Sequence, residues 1–126
     1  MGWIGVDLDH TLAEYESGSA GTGVIGRPIR KMVRRVKAWR KQGREVRIMT
    51  ARVNKIPGWD HEWQRKIIEE WCFHHIGEVL QVTNEKDFEM IELWDDRAVR
   101  VEAGTGRKLS PSLHLRSAKK YLHKNR

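Results

Sequence analysis

The sequence predicts an α/β domain, a three-layer sandwich with a mostly parallel central sheet. Three observations carry that expectation. Short apolar segments of strand length alternate with longer stretches whose apolar residues recur at helical spacing. Polar residues suited to chemistry gather where the apolar segments end, the edge at which open parallel sheets bind ligands. At 126 residues the chain has material for one modest core.

The elements follow in order. A first strand over 3–8 runs into Asp7-Leu8-Asp9-His10-Thr11-Leu12. The linker 13–28 contains the Gly- and Ser-rich Ser17–Gly23 and has room for a mobile flap or a plain flexible loop, not a cap domain. Ile29, Met32, Val33, Val36 and Trp39 then place the inner face of a helix over 29–42, ended by Gly43. A strand over 46–50 leads through Pro57-Gly58 to a helix over 59–76, with Trp63, Ile67, Ile68, Trp71 and Cys72 facing the core. Short strands are expected at 79–82, 91–95 and 98–101. Residues 1–106 form the expected core domain. Residues 107–126 form a basic tail, within which Ser110–His123 has a roughly amphipathic helical pattern.

Strand-end chemistry is concentrated at four places. Asp7 and Asp9 are two residues apart, so at the end of a strand both carboxylates can face one pocket. Two such acids repel when ionised, and a divalent cation or a retained proton offsets the repulsion. Thr50 emerges at the end of the second strand and offers a hydroxyl donor without adding charge, followed by Ala51 and by Arg52, a candidate for a bidentate phosphate contact or a surface ion pair. Lys86 follows the third apolar segment, where a cation could neutralise developing negative charge. Asp95-Asp96 closes the series and could complete an oxygen-ligand magnesium site, or simply mark a turn.

In order and type, these signals resemble the haloacid dehalogenase-like (HAD) phosphohydrolases: D-x-D-x-T, a strand-end Thr or Ser, a Lys, then an acidic pair. The match runs from about Trp3 to Val101. Response-regulator receivers use a similar set with the acidic pair first and the lysine last, so the order excludes them. The resemblance implies that Asp7 is the nucleophile that forms an aspartyl-phosphate. Asp9 would be the general acid and base, Thr50 would hold the phosphoryl oxygens, and Lys86 would stabilise their charge. It further implies Mg²⁺ held by the Asp7 side chain, the Asp9 carbonyl and Asp95, with Asp96 assisting directly or through water. Thr11, Ala51, Arg52 and His10 are the candidate substrate-binding residues; the family often has Gly at the position of His10. The small, capless relatives with this pattern include the phosphatase half of polynucleotide kinase-phosphatases, which implies a phosphatase acting on nucleotides or nucleic-acid ends.

Charge agrees with a phosphorylated substrate. The formal net charge is +7, and the tail from Arg107 onward has seven basic residues and no acid, equal to the whole excess. Residues 27–41 are equally one-sided, with eight basic residues and no acid. Such clusters attract polyanions such as a DNA or RNA end, and otherwise serve solubility. One cysteine excludes an internal disulfide and fits the cytoplasm. No apolar run is long enough to span a membrane, and Met1-Gly2 leads directly into the first strand without a signal segment. The histidines form no zinc pattern with Cys72, and there is no G-x-x-x-x-G-K loop for an ATP-driven kinase. Either a monomer or a small homo-oligomer with a lid from its neighbour is compatible with this reading.

Overall fold

The structure, a computed structural model, describes residues 2–109. The expectation for Ser110–His123 lies outside them. The chain is α/β: strands β1 (Trp3–Asp7), β2 (Glu45–Met49), β3 (Gln81–Thr83) and β4 (Met90–Trp94), and helices α1 (Arg30–Lys41) and α2 (His61–Ile76). The strands form one sheet in the order β3-β2-β1-β4, every pair parallel. This is consistent with the Rossmann-like three-layer class the sequence predicts.

Strand alternation decides which side chains meet the helices. Ile4 and Val6 of β1, Val46 and Ile48 of β2, and Val82 of β3 pack with Met32, Val33 and Val36 of α1 and with Ile68, Trp71, Cys72 and Ile76 of α2 in one buried cluster. Both helices therefore cover the same face of the sheet, as successive right-handed crossovers in one direction require. On the opposite face Trp3 is fully buried. Its Nε1 donates to Asp87 at 2.8 Å, and the Arg47 guanidinium lies 4.4 Å from its ring centroid. Burial pushes the Cys72 thiol up to about 12, so it behaves as an inert core residue.

The linker after β1 closes on itself. Ala13 pairs with Pro28, Glu14 N–H donates to the Arg27 carbonyl at 2.8 Å, and Ile29 N–H donates to the Leu12 carbonyl at 2.8 Å. Two side chains of α2 hold the loop: Gln64 Nε2 donates to the Ala20 carbonyl at 2.7 Å and Trp71 Nε1 to the Gly26 carbonyl at 3.1 Å. Where the sequence suggests a free flap, the structure has an anchored loop with a short 3-10 turn at Ser19–Thr22.

Two expectations are corrected. Trp63 is 45 % exposed, because it lies at the rim of α2 beside Gly23 and not under the sheet. Residues 98–101 form no strand; Val101 makes a single antiparallel bridge to Lys108, and Val99 and Val101 stay exposed. Apolar alternation this short is satisfied by a local turn, closed by Arg107–Glu102 at 3.0 Å and by Leu109 N–H donating to the Arg100 carbonyl at 2.8 Å. The described residues group into two compact units, one ending at Asp96 and the other beginning at Arg97.

Backbone contact at the base of the loop makes a testable demand on one glycine. A Cβ on Gly26 would run into the Glu14 carbonyl oxygen, whereas one on Gly21 would meet nothing within 4 Å. Gly26→Ala is expected to cost about 1–3 kcal/mol in urea denaturation, and Gly21→Ala close to nothing. Equal effects would show that the loop base is not closed in this way.

Candidate active site

Strand order fixes where the site sits. From β1 the sheet grows on one side through β2 to β3 and on the other to β4, and the crevice beyond the carboxyl ends at such a switch is the ligand-binding position of open α/β sheets. Gly5 is in register with Leu93 and Val6 with Trp94, so the next step brings Asp7 alongside Asp95. Carboxylate oxygens of Asp7, Asp95 and Asp96 lie within 4.8 Å of one another.

Thr11 holds this cluster together. Its Oγ1 accepts from the Asp96 backbone N–H at 3.1 Å and stands 3.0 Å from Asp96 Oδ1 and 3.4 Å from Asp7 Oδ2. A hydroxyl has one proton to give, so the shorter contact takes it. The turn that delivers Thr11 is tight: the Leu8 carbonyl accepts from Leu12 and Ala13 at 2.9 Å each, and from Thr11 at 3.3 Å. His10 takes the left-handed conformation within it, at φ 70°. A Cβ in that conformation costs about 1–2 kcal/mol. The His10 ring meets Tyr15 edge-on at 5.2 Å.

Crowding shows in the protonation of the cluster. Burial, then the hydrogen bond to Asp96 and the charges of Asp95 and Asp96, push Asp7 up to about 7. Asp96 moves the other way: burial opposes ionisation, but hydrogen bonds from Asp7 and Thr11 outweigh it. Of the two, Asp7 is the group that holds a proton more tightly. An all-oxygen set of three acids that cannot ionise together fits a hard divalent cation, and Asp7, Asp95 and Asp96 are the residues that would hold it.

Asp9 points elsewhere. Both of its oxygens are engaged by Arg52, from Nε at 2.8 Å and from Nη2 at 2.7 Å. Arg52 is 3 % exposed, so the fork seen in the sequence is neither a surface pair nor free for a substrate; its partner is Asp9. The third guanidinium nitrogen, Nη1, is buried with no hydrogen-bond partner among the described residues. Two aromatic residues that sequence reasoning passed over fix this arm. Trp59 Nε1 donates to the Arg52 carbonyl at 2.7 Å, and the Tyr15 ring lies 5.8 Å from the guanidinium. Neither stands in a recognisable motif.

Thr50 is buried at the end of β2, next to β1. Its Oγ1 accepts from the Arg52 N–H at 3.1 Å, which leaves its own proton to donate. Ala51 and Arg52 open the short turn that follows. Lys86 lies in the exposed 84–89 connection beyond β3, two strands from β1, with no hydrogen bond or ion pair to the acidic cluster among the described residues. A cleft of about 380 Å³, lined in part by Glu14, Tyr15, Ser19, Val24 and Arg27, opens on the Tyr15 side.

Comparison with known proteins adds the fold alone. A conserved protein from Bacteroides thetaiotaomicron is similar in structure, with a TM-score of 0.55 and 17 % sequence identity over 99 % of this chain and 98 % of that one. No family model and no curated protein matches the sequence.

Two outcomes follow from this geometry. Arg52→Met strands the Asp9 charge in a largely enclosed position and is expected to cost about 3 kcal/mol in urea denaturation, with part of the loss restored in the Arg52→Met/Asp9→Leu double variant. An effect below a few tenths would mean that the pair is dispensable. The second concerns pH. Asp7 in the folded chain keeps a proton that it releases at 3.8 when unfolded, so its contribution to stability falls as pH rises from about 4 to about 7. Without divalent ions the melting temperature should fall over that window, Mg²⁺ should restore it most near pH 7, and Asp7→Asn should remove both effects. A melting temperature indifferent to Mg²⁺ throughout would contradict the cation fit.

Proposed function

We propose that this protein is a Mg²⁺-dependent HAD-like phosphatase that hydrolyses phosphate monoesters through an aspartyl-phosphate, acting on nucleotides or nucleic-acid ends in the cytoplasm. The observation that carries the reading is the convergence of Asp7, Asp95 and Asp96 on one point at the β1–β4 crevice, with Thr11 hydrogen-bonded to Asp96. In the sequence Thr11 and Asp96 are 85 positions apart, and the acids come in the order the family resemblance implies.

Bound Mg²⁺ would supply the positive charge that lets the three carboxylates ionise together and would draw negative charge from a phosphoryl group. The remaining roles belong to the chain. An Asp7 oxygen attacks phosphorus and the bond to the ester oxygen breaks. Asp9, entering the step in its acid form, gives that oxygen its proton, then takes one from the water that attacks the aspartyl-phosphate, releasing phosphate and restoring both Asp7 and the Asp9 acid. Thr50 donates to a phosphoryl oxygen. Arg52 fixes the direction of the Asp9 carboxylate, whose oxygens each keep a lone pair outside the guanidinium fork. The open crevice and the basic surface favour a large, anionic substrate.

One observation favours a second reading, a nucleic-acid-binding module that keeps the scaffold with weak turnover. Asp9 is held by Arg52, and Lys86 has no link to the acidic cluster among the described residues.

Phosphate release from an aryl phosphate separates the two. The expected result is release with Mg²⁺, none in EDTA, and a loss of at least about a thousandfold in Asp7→Asn, which still unfolds cooperatively. Release that persists in Asp7→Asn would mean the nucleophile is misassigned. Absence of release from aryl and nucleotide substrates alike would favour the binding module.

A further inference from the structure

The outer side of helix α1 carries charge of one sign and no aromatic ring. Arg30, Arg34, Lys37 and Lys41 stand at i, i+4, i+7 and i+11, all exposed. At 3.6 residues per turn they fall within roughly 60° of arc, and at 1.5 Å per residue they form a row roughly 16 Å long. Lys31 and Ala38, also exposed, flank the row on one side. Trp39 is on the far side of the helix, packed against the core. Among the described residues none of the four forms an ion pair with a carboxylate. Glu78 is held by Arg40 at 2.9 Å, and Glu14 by Arg27 at 3.3 Å, just before the helix begins.

The row works against the helix that carries it. Arg30–Arg34 and Lys37–Lys41 are like-charge pairs at i,i+4, which repel across one turn. Arg30 and Lys31 occupy the first turn, at the positive end of the helix dipole, where there is no acid. The N-cap residue Ile29 makes no side-chain cap bond. A helix face that serves only solubility mixes its signs. This one does not.

The kind of partner follows from the shape of the row and from what surrounds it. With no ring beside the cations, the face cannot stack a base, the contact from which single-strand sites draw much of their affinity. Met32, Val33 and Val36 are buried in the core, so the helix has no apolar face to enter a lipid surface. Charge in a line is what remains. A duplex carries one phosphate per about 1.7 Å of axis, twice the density of one strand. Its grooves are about 6 and 12 Å wide, so a row of roughly 16 Å can rest its two ends on both backbones at once. A single strand offers only one backbone.

We propose that the Arg30–Arg34–Lys37–Lys41 row binds the phosphate backbones of duplex DNA without reading its sequence. The surface goes beyond the phosphatase reading and does not depend on turnover at Asp7.

The test is fluorescence anisotropy of a short labelled duplex titrated with the full chain in EDTA at several salt concentrations. Wild type should bind the duplex more tightly than a single strand of the same length. R30Q/R34Q/K37Q/K41Q should bind it at least about tenfold more weakly. Its log–log salt dependence should be shallower by about 3–4, near 0.9 for each phosphate that the variant no longer neutralises. Its melting temperature should equal or exceed that of wild type, because repulsion is relieved, so weaker binding cannot be ascribed to unfolding. K55Q/K66Q/R100Q/K108Q removes the same charge from other exposed positions and should keep most of the affinity and the slope. An unchanged affinity and slope in the α1 variant would overturn the proposal. An equal loss in the second variant would overturn it too, since binding would then follow net charge. Tighter binding of the single strand, or capture by anionic vesicles without duplex binding, would do the same.

Discussion

Parallel pairing of β1 with β4 sets the terms for everything at the carboxyl edge of the sheet. With Gly5 opposite Leu93 and Val6 opposite Trp94, the strands deliver Asp7 and Asp95 side by side. The chain then adds Asp96 to the same small volume. Three acids so close cannot all be charged without help, and the molecule shows two kinds of help. The Thr11 hydroxyl and the Asp96 backbone amide form a hydrogen-bonded bridge, and a proton retained on Asp7 reduces the charge. The left-handed turn at His10 is what that bridge requires, since it brings Thr11 back over the strand ends. A cation would replace the proton and free the Asp7 oxygen, which links the strain of the site to its chemistry.

A second arm of the site depends on the neighbouring β1–β2 pair. Asp9 leaves β1 and meets Arg52 leaving β2, and the two interlock in a buried bidentate pair. Breaking one partner of such a pair is costly, so the arm is rigid. Trp59, Tyr15 and the loop anchored by Gln64 and Trp71 pack around it. The acidic cluster and the Asp9–Arg52 arm therefore divide the crevice. One side gathers three carboxylates, and the other is neutralised within the fold. A phosphoryl group held on the acidic side would have the Asp9 arm as its fixed neighbour.

The elements were legible in the sequence because their boundaries are punctuated locally. Gly43 ends the first helix, Pro57-Gly58 interrupts the path to the second, and strand ends coincide with polar residues, so most boundaries fall within one or two residues of expectation. Trp63 was not legible, since helical spacing marks it as inward but only the packed structure shows that the sheet does not reach it. The 98–101 segment misled for a related reason: alternation over four residues cannot distinguish a sheet strand from the arm of a local turn. Site residues were legible by type and order and not by pairing. Asp9 and Arg52 are 43 positions apart, and nothing local in either segment announces the other. Thr11 was visible as part of a motif, but its role as a bridge to Asp96 depends on the strand order β3-β2-β1-β4.

The central claim is that Asp7 is the phosphoryl acceptor of a magnesium site built by the β1–β4 pairing. A crystal structure with Mg²⁺ and beryllium fluoride, a mimic of a phosphoryl group on a carboxylate, tests it most directly. The account predicts beryllium bonded to an Asp7 oxygen, with Mg²⁺ coordinated by Asp7 and by Asp95 or Asp96. Fluoroberyllate on another residue, or a metal bound away from the β1–β4 crevice, would contradict it.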